Sequence, residues 1–142
     1  MKAYLDSSFL FSLYAADDHS AEAIAEVRRF RGELALSGLT ELEFMNAIEL
    51  RIFRKELTRV RAAEVRAAFD GDVDARVLLV FDLEPTTFLR GKSLILQTTA
   101  LVGWRTADIL HVAAALEVGA DSLFTFDQRQ KALARRMKLE TN

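Results

Sequence analysis

Four acidic residues fall where a chain could assemble an all-oxygen metal site. Asp6 ends the run "AYLD" and is followed by two hydroxyls, Ser7 and Ser8. Glu43 lies in "TELEF", Asp108 in "RTADIL", and Asp127 closes "LFTFD". Two carboxylates about 4 Å apart repel by roughly 4 kcal/mol at an effective dielectric near 20. Four of them in one small volume therefore call for a cation. The chain has no cysteine and two histidines, so oxygen ligation favours Mg2+ or Mn2+ over zinc. Each acid also has a purely structural explanation. "TELE" is a capping-box pattern, with Glu43 reaching back to the Thr40 amide. Asp127 suits an N-cap, and Gln130 three residues on would complete a box. Asp108 suits the dipole of a helix beginning at Thr106. Asp6 suits a strand-to-helix turn. Capping never requires the four to approach one another, whereas binding a divalent ion does.

The elements that would carry these acids alternate in type. Short apolar runs bounded by turn signals predict strands over 2–6, 33–38, 75–83 and 122–127, with a last edge strand over 137–141. Helical periodicity fills the gaps. One helix is capped by Ser20 and carries Ile24, Val27 and Phe30. Others cover 40–57, 58–69, 86–103, 106–119 and 127–137. Strands alternating with helices imply an α/β domain with a mostly parallel sheet. In such a sheet the strand ends and the following helix starts share one edge, where ligands bind. All four acids belong to that edge.

Composition narrows the class. A chain of 142 residues, 51% hydrophobic, supports one domain over 1–142 with a real core. One proline and six glycines leave no linker, and no internal repeat is visible. The start "MKAYLDSS" is too short for a signal peptide, and no apolar run reaches the roughly 18 residues of a membrane span. A soluble cytoplasmic protein is the expectation. The net charge of −2 excludes a whole-molecule basic field. Basic clusters over 51–66 and 129–138 are read either as solvated helix faces or as local contacts for a polyanion.

At this point the segments "YLDSSFL", "LTELEFMNAI", "RTADILHVAAAL" and "LFTFDQRQKALA" resemble the signature segments of the PIN-domain nucleases, in particular the VapC-type ribonuclease toxins of toxin–antitoxin pairs. The resemblance runs from residue 3 to about 136. It implies a PIN-like three-layer fold, a five-stranded parallel sheet flanked by helices. It also implies Mg2+- or Mn2+-dependent hydrolysis of RNA phosphodiesters, a small antitoxin partner and a homodimer. Its acidic residues fall on Asp6, Glu43, Asp108 and Asp127, and its accompanying hydroxyl on Ser8 or Ser7. Metal coordination is expected of Asp6, Asp108 and Asp127. Glu43 either coordinates or acts as the base that orients water.

Supporting roles are weighed against structural ones. Thr125 shares a strand face with Asp127, and Asn46 stands one helical turn after Glu43. Arg51, Arg54, Lys55, Arg105 and Arg129 are the candidates for RNA contact. His111, in "DILHVAAA", is expected to be a satisfied core histidine. Trp104 either stacks on a base or fills the core. A phosphotransfer domain of the receiver or haloacid-hydrolase kind fits less well, because "DSS" replaces the paired acids such domains need after the first strand. An RNA-processing nuclease outside a toxin pair and a non-catalytic PIN fold that binds a partner are the remaining alternatives.

Overall fold

The computed structural model describes residues 1–142. Five strands form one sheet: β1 (Lys2–Leu5), β2 (Glu33–Ser37), β3 (Leu78–Phe81), β4 (Ser122–Phe124) and β5 (Glu140–Thr141). The order is β3-β2-β1-β4-β5 and every pairing is parallel. The α/β sheet predicted from the alternation of elements is therefore present. The helices are α1 (Ser7–Tyr14), α2 (Ser20–Arg29), α3 (Gly38–Phe53), α4 (Arg59–Asp74), α5 (Pro85–Leu94), α6 (Ala100–Val102), α7 (Thr106–Glu117) and α8 (Gln128–Arg136).

Strand alternation sorts the core into two halves. Ala3 and Leu5 of β1 and Phe124 of β4 face one cluster, completed by Phe9 of α1, Phe44 and Ile48 of α3 and Phe69 of α4. Tyr4 and Leu123 point the other way, onto Ile109, Val112 and Ala113 of α7 and Leu133 of α8. Successive side chains on opposite faces of each strand give three layers, helix–sheet–helix. Both faces are covered, which is why β1, β2 and β4 are nearly all apolar.

Several boundaries differ from expectation for local reasons. The strand expected over 75–83 spans only Leu78–Phe81. The acidic stretch "DGDVD" continues α4 to Asp74 instead of turning, and Arg76 takes a positive φ of 57° that ends the helical path. Helix α3 starts at Gly38, two residues before the expected Thr40, and ends at Phe53. The single helix expected over 86–103 is interrupted by a π-helical stretch, Ile95–Thr99. Gly103 then ends the segment in the left-handed region at φ 75°, a conformation that costs glycine little. The last strand is Glu140–Thr141 rather than 137–141.

The order of strands fixes where a ligand can sit. The chain steps outward from β1 to β2 to β3, then returns to place β4 on the other side of β1. The carboxyl ends of β1 and β4 thus border the switch point, where neighbouring crossovers leave a crevice.

Candidate functional site

Asp6 leaves the end of β1 at that switch point. Its backbone N–H donates to the Phe124 carbonyl of β4 at 3.1 Å. Its carboxylate is only 2% exposed and accepts from three donors. The Phe9 amide lies at 2.8 Å, making Asp6 the N-cap of α1. The Ser8 hydroxyl lies 2.8 and 3.0 Å from its two oxygens, and the Thr125 hydroxyl lies at 2.5 Å. Burial pushes the Asp6 carboxyl above its usual range, and the His111 ring and these hydrogen bonds offset that only in part. Ser8 also accepts from the Phe126 amide at 2.9 Å, and Thr125 from the Asp127 amide at 3.0 Å. The two hydroxyls therefore sew the exit of β4 to the start of α1 around one carboxylate.

Glu43 arrives from α3. The expected capping box is absent. Because α3 begins at Gly38, Glu43 lies beyond the first turn and cannot serve the Thr40 amide. The Thr40 hydroxyl instead donates to the Leu5 carbonyl at 3.1 Å. Glu43 bonds the His111 Nε2 at 2.7 Å. Burial raises the Glu43 carboxyl, but His111, Ser7 and Arg105 outweigh it and hold the group below its usual value. The other ring nitrogen of His111, Nδ1, lies 3.2 Å from the Tyr4 hydroxyl. That hydroxyl also meets Ser37 at 2.7 Å and Thr40 at 3.1 Å, and burial pushes its pKa up to about 12. The expectation of a satisfied, buried histidine is met, but its partner is a site acid. The positioning role of His111 and Tyr4 escaped the sequence reading, since nothing in "DILHV" says which acid the ring will face.

Asp108 and Asp127 are tied together by Arg105. Its Nε and Nη2 lie 3.1 and 3.2 Å from the Asp108 oxygens, and Nη2 donates to Asp127 at 2.7 Å. Asp108 sits at N3 of α7 and also accepts from the Arg105 amide at 3.2 Å. Asp127 caps α8 through the Arg129 and Gln130 amides at 2.8 and 3.1 Å. Gln130 does not complete the box expected of it. Its side chain is buried, and its Nε2 finds no protein acceptor.

All four acids, with Ser7, Ser8, Arg105, His111 and Gln130, line a single cavity of about 250 Å3. Ala107 is its one apolar wall residue. The donor set suits a hard dication in kind, being carboxylate and hydroxyl oxygen. In this arrangement, however, no three His, Asp or Glu side chains converge as a ligating group. The hydrogen bonds explain why. Arg105 neutralises Asp108 and Asp127, and Glu43 is hydrogen-bonded to His111, so the acids lean toward protein partners.

The remaining candidates separate by position. Asn46 is exposed and is not among the residues lining the acidic cavity. Trp104 is 9% exposed within the second core cluster, so of its two readings the structure takes core packing. Arg51 pairs with Glu56, and Arg61 and Arg66 of the same basic stretch pair with Glu64 and Glu49. Arg54, Lys55 and Arg129 are exposed.

An α/β domain with an acidic crevice at the β1–β4 switch point defines the class, and comparison with known proteins defines the family. Residues 3–136 match the PIN domain family, and the chain belongs to it. Among solved structures, VapC20 of Mycobacterium tuberculosis, described as a sarcin–ricin loop cleaving toxin, superposes with a TM-score of 0.71 at 14% identity, over 92% of this chain and 93% of that one. FitAcB of Neisseria gonorrhoeae gives 0.70 at 14% identity, over 98% and 95%. VapBC2 of Rickettsia felis, solved bound to a DNA fragment from its promoter, gives 0.67 at 16% identity, over 100% and 98%. A search of curated protein sequences finds no match.

The state of Asp6 has a measurable consequence. Its carboxyl is raised in the fold, so the folded chain binds more protons than the unfolded one above the unfolded pKa of about 3.9. Stability must fall as pH rises through that window. Asp6→Asn removes the buried charge and is expected to melt higher than the wild type at neutral pH, by roughly 3–5 °C per kcal/mol relieved. The gap should shrink as the pH is lowered toward 4. Thermal denaturation of both proteins across this range checks it, and a gap that is constant or reversed would contradict the assignment.

Proposed function

We propose that the protein is a divalent-metal-dependent ribonuclease, acting on RNA phosphodiester bonds as the toxin of a toxin–antitoxin pair. One observation carries this reading: four acids from four separate segments line one cavity at the switch point of the sheet. A chain that needed them only as caps would have no reason to bring them together against their mutual repulsion.

Mg2+ or Mn2+ among these oxygens would supply charge neutralisation at the phosphoryl group and an acidified water. The residues divide the remaining work. Asp6, Asp108 and Asp127 would hold the ion, directly or through water. Ser8 and Thr125 keep the Asp6 carboxylate in place through their hydroxyl bonds. Glu43, held below its usual pKa mainly through His111, stays ionised and accepts a proton from, or orients, the attacking water. Gln130, whose Nε2 has no acceptor, donates to a phosphoryl oxygen. Arg105, 59% exposed on its side chain, exchanges its carboxylates for substrate phosphate. A cytoplasmic location is part of this proposal. No helix of the structure is long and apolar enough to cross a membrane.

The antitoxin belongs on the outer face of α3 and α4. Leu42, Met45 and Phe53 of α3 and Val60 of α4 are exposed, Phe53 by 83%, and large apolar side chains left in water on neighbouring helices suit an interaction site. Homodimerisation is the companion proposal, supported by the family resemblance. A related structure, a toxin–antitoxin complex from Klebsiella pneumoniae, supports an antitoxin partner.

Three outcomes test the reading. Asp6→Asn and Asp127→Asn, assayed on RNA with Mg2+ or Mn2+, are each expected to lose at least about 100-fold in cleavage rate, several kcal/mol of transition-state stabilisation, with the fold retained by circular dichroism. Near-normal activity in either would refute the site. Arg105→Ala removes the competing cation and should tighten Mn2+ binding about tenfold, roughly 1.4 kcal/mol, read by calorimetry or by the Mn2+ resonance signal. Weaker or unchanged binding would show that Arg105 does not compete. Expression of the wild type alone should arrest growth, and Leu42→Asp with Phe53→Asp should abolish rescue by the cognate small partner. Unhindered growth with active enzyme present would count against the toxin reading.

A further inference from the structure

Beside the acidic pocket lies a second cavity of about 330 Å3 that the chemistry above leaves unused. The two share a wall, since Ser7 and Ser8 line both. A group bound in one is therefore the immediate neighbour of a group bound in the other. The volume is that of a small-ligand cleft.

Its lining combines an aromatic stack with cations. The Phe126 ring lies between two others in nearly parallel planes. Phe9, buried, stands 5.3 Å away at 12°, and His19 stands 4.3 Å away at 13°. His19 is exposed and stacks on no other ring. The column thus ends in an aromatic face open to solvent at the cavity. Across from it, the end of α3 contributes Arg51 and Arg54. The Arg51 guanidinium lies 5.0 Å above the Phe11 ring and 3.1 Å from Glu56, which fixes its position and leaves part of its charge unspent. Arg54 is exposed. One acid, Asp17, also lines the space. Its carboxylate is turned to the loop itself, accepting from Ser12 Oγ at 2.8 Å, the His19 amide at 2.9 Å and Ser20 Oγ at 3.3 Å. That acid therefore holds in place the loop that presents His19.

A stacking face opposite two guanidinium groups matches the two halves of a nucleotide. Bases stack on aromatic rings whatever their identity, and arginines take the phosphate. We infer that this cavity seats one nucleotide of single-stranded RNA adjoining the scissile phosphate, with its base against His19 and its phosphate against Arg54 and Arg51. The inference rests on the ribonuclease reading and adds to it the place where the substrate strand is gripped. It also gives a use to His19 in the loop "DDHS".

The test uses binding as well as cleavage. In an Asp6→Asn background, a fluorescein-labelled oligouridylate is titrated at several salt concentrations and followed by anisotropy. His19→Ala should weaken binding about tenfold, the effect of losing one base stack, and His19→Tyr should restore it. Arg54→Ala should weaken binding and reduce the slope of log affinity against log salt by about 0.7, one phosphate contact on a single strand. With Asp6 present, His19→Ala should raise KM while leaving kcat unchanged. Retained cleavage with binding and KM unaltered in both variants would overturn the subsite while the nuclease reading stands. Unaltered RNA binding with lost binding of the cognate small partner would assign the cavity to that partner and overturn the subsite equally. A wild type that neither cleaves nor, as Asp6→Asn, binds the oligonucleotide would overturn both.

Discussion

The structure turns on one carboxylate held out of water where β1 meets β4. An ionised acid in that position is costly unless every oxygen lone pair finds a donor. Asp6 finds its donors on three sides: the start of α1, the Ser8 hydroxyl and the Thr125 hydroxyl beyond β4. Satisfying it therefore requires that β4 lie beside β1, that α1 begin at once, and that residues 125–127 turn back over the strand end. The same requirement brings Asp127 to the edge. A buried acid that demands this much of its surroundings contributes little net stability, and its burial is best understood as the cost of a preorganised site.

Around Asp6 the chain supplies partners for the other acids itself. His111 sits between Glu43 and the Tyr4 hydroxyl, and Arg105 spans Asp108 and Asp127. These contacts link α3 to α7 and α7 to α8, so the electrostatics of the cavity and the packing of its helices are one set of interactions. They also account for the absence of any tight ligating group among the acids. The carboxylates share a cavity while each leans toward a protein partner. Arg105 and Asp127 are the more exposed of these side chains, whereas Asp6 and Asp108 are nearly sealed.

The sequence carried the architecture and the identity of the acids further than it carried their partners. Strands showed as short apolar runs because both faces of the sheet are covered, and helices showed through their periodicity. Boundaries failed where local rules compete. "DGDVD" has the composition of a turn, yet α4 runs through it, since Phe69 and Val73 still face the core. The capping box at Thr40 failed because a glycine, Gly38, could open the helix two residues sooner and free Thr40 to reach β1. The sites of Asp6, Asp108 and Asp127 were legible because each stands at a strand end or helix start, a place that sequence marks. The roles of His111, Tyr4 and Gln130 were not legible. A histidine inside an apolar run reads as core in any helix, and only the approach of α3 makes it a neighbour of Glu43. The stack of Phe9, Phe126 and His19 joins residues more than a hundred positions apart, a relation that no local pattern encodes.

The proposed function asks an acidic cavity to receive a polyanion, which presents a further electrostatic requirement, because the acids that would hold a cation also repel phosphate. The net charge of −2 offers no long-range help. The arrangement of cations answers this locally. Arg61 and Arg66 of α4 are committed to neighbouring glutamates, while Arg54 stands unpaired at the cavity that shares the Ser7–Ser8 wall and Arg105 stands at the acidic cavity itself. Attraction is therefore concentrated within a few ångströms of where the backbone of a strand would cross the site, a distance at which salt screens little. Under the proposed function this division would let an overall acidic protein hold RNA at that edge, and the partition of charge, more than its total, sets what the surface can bind.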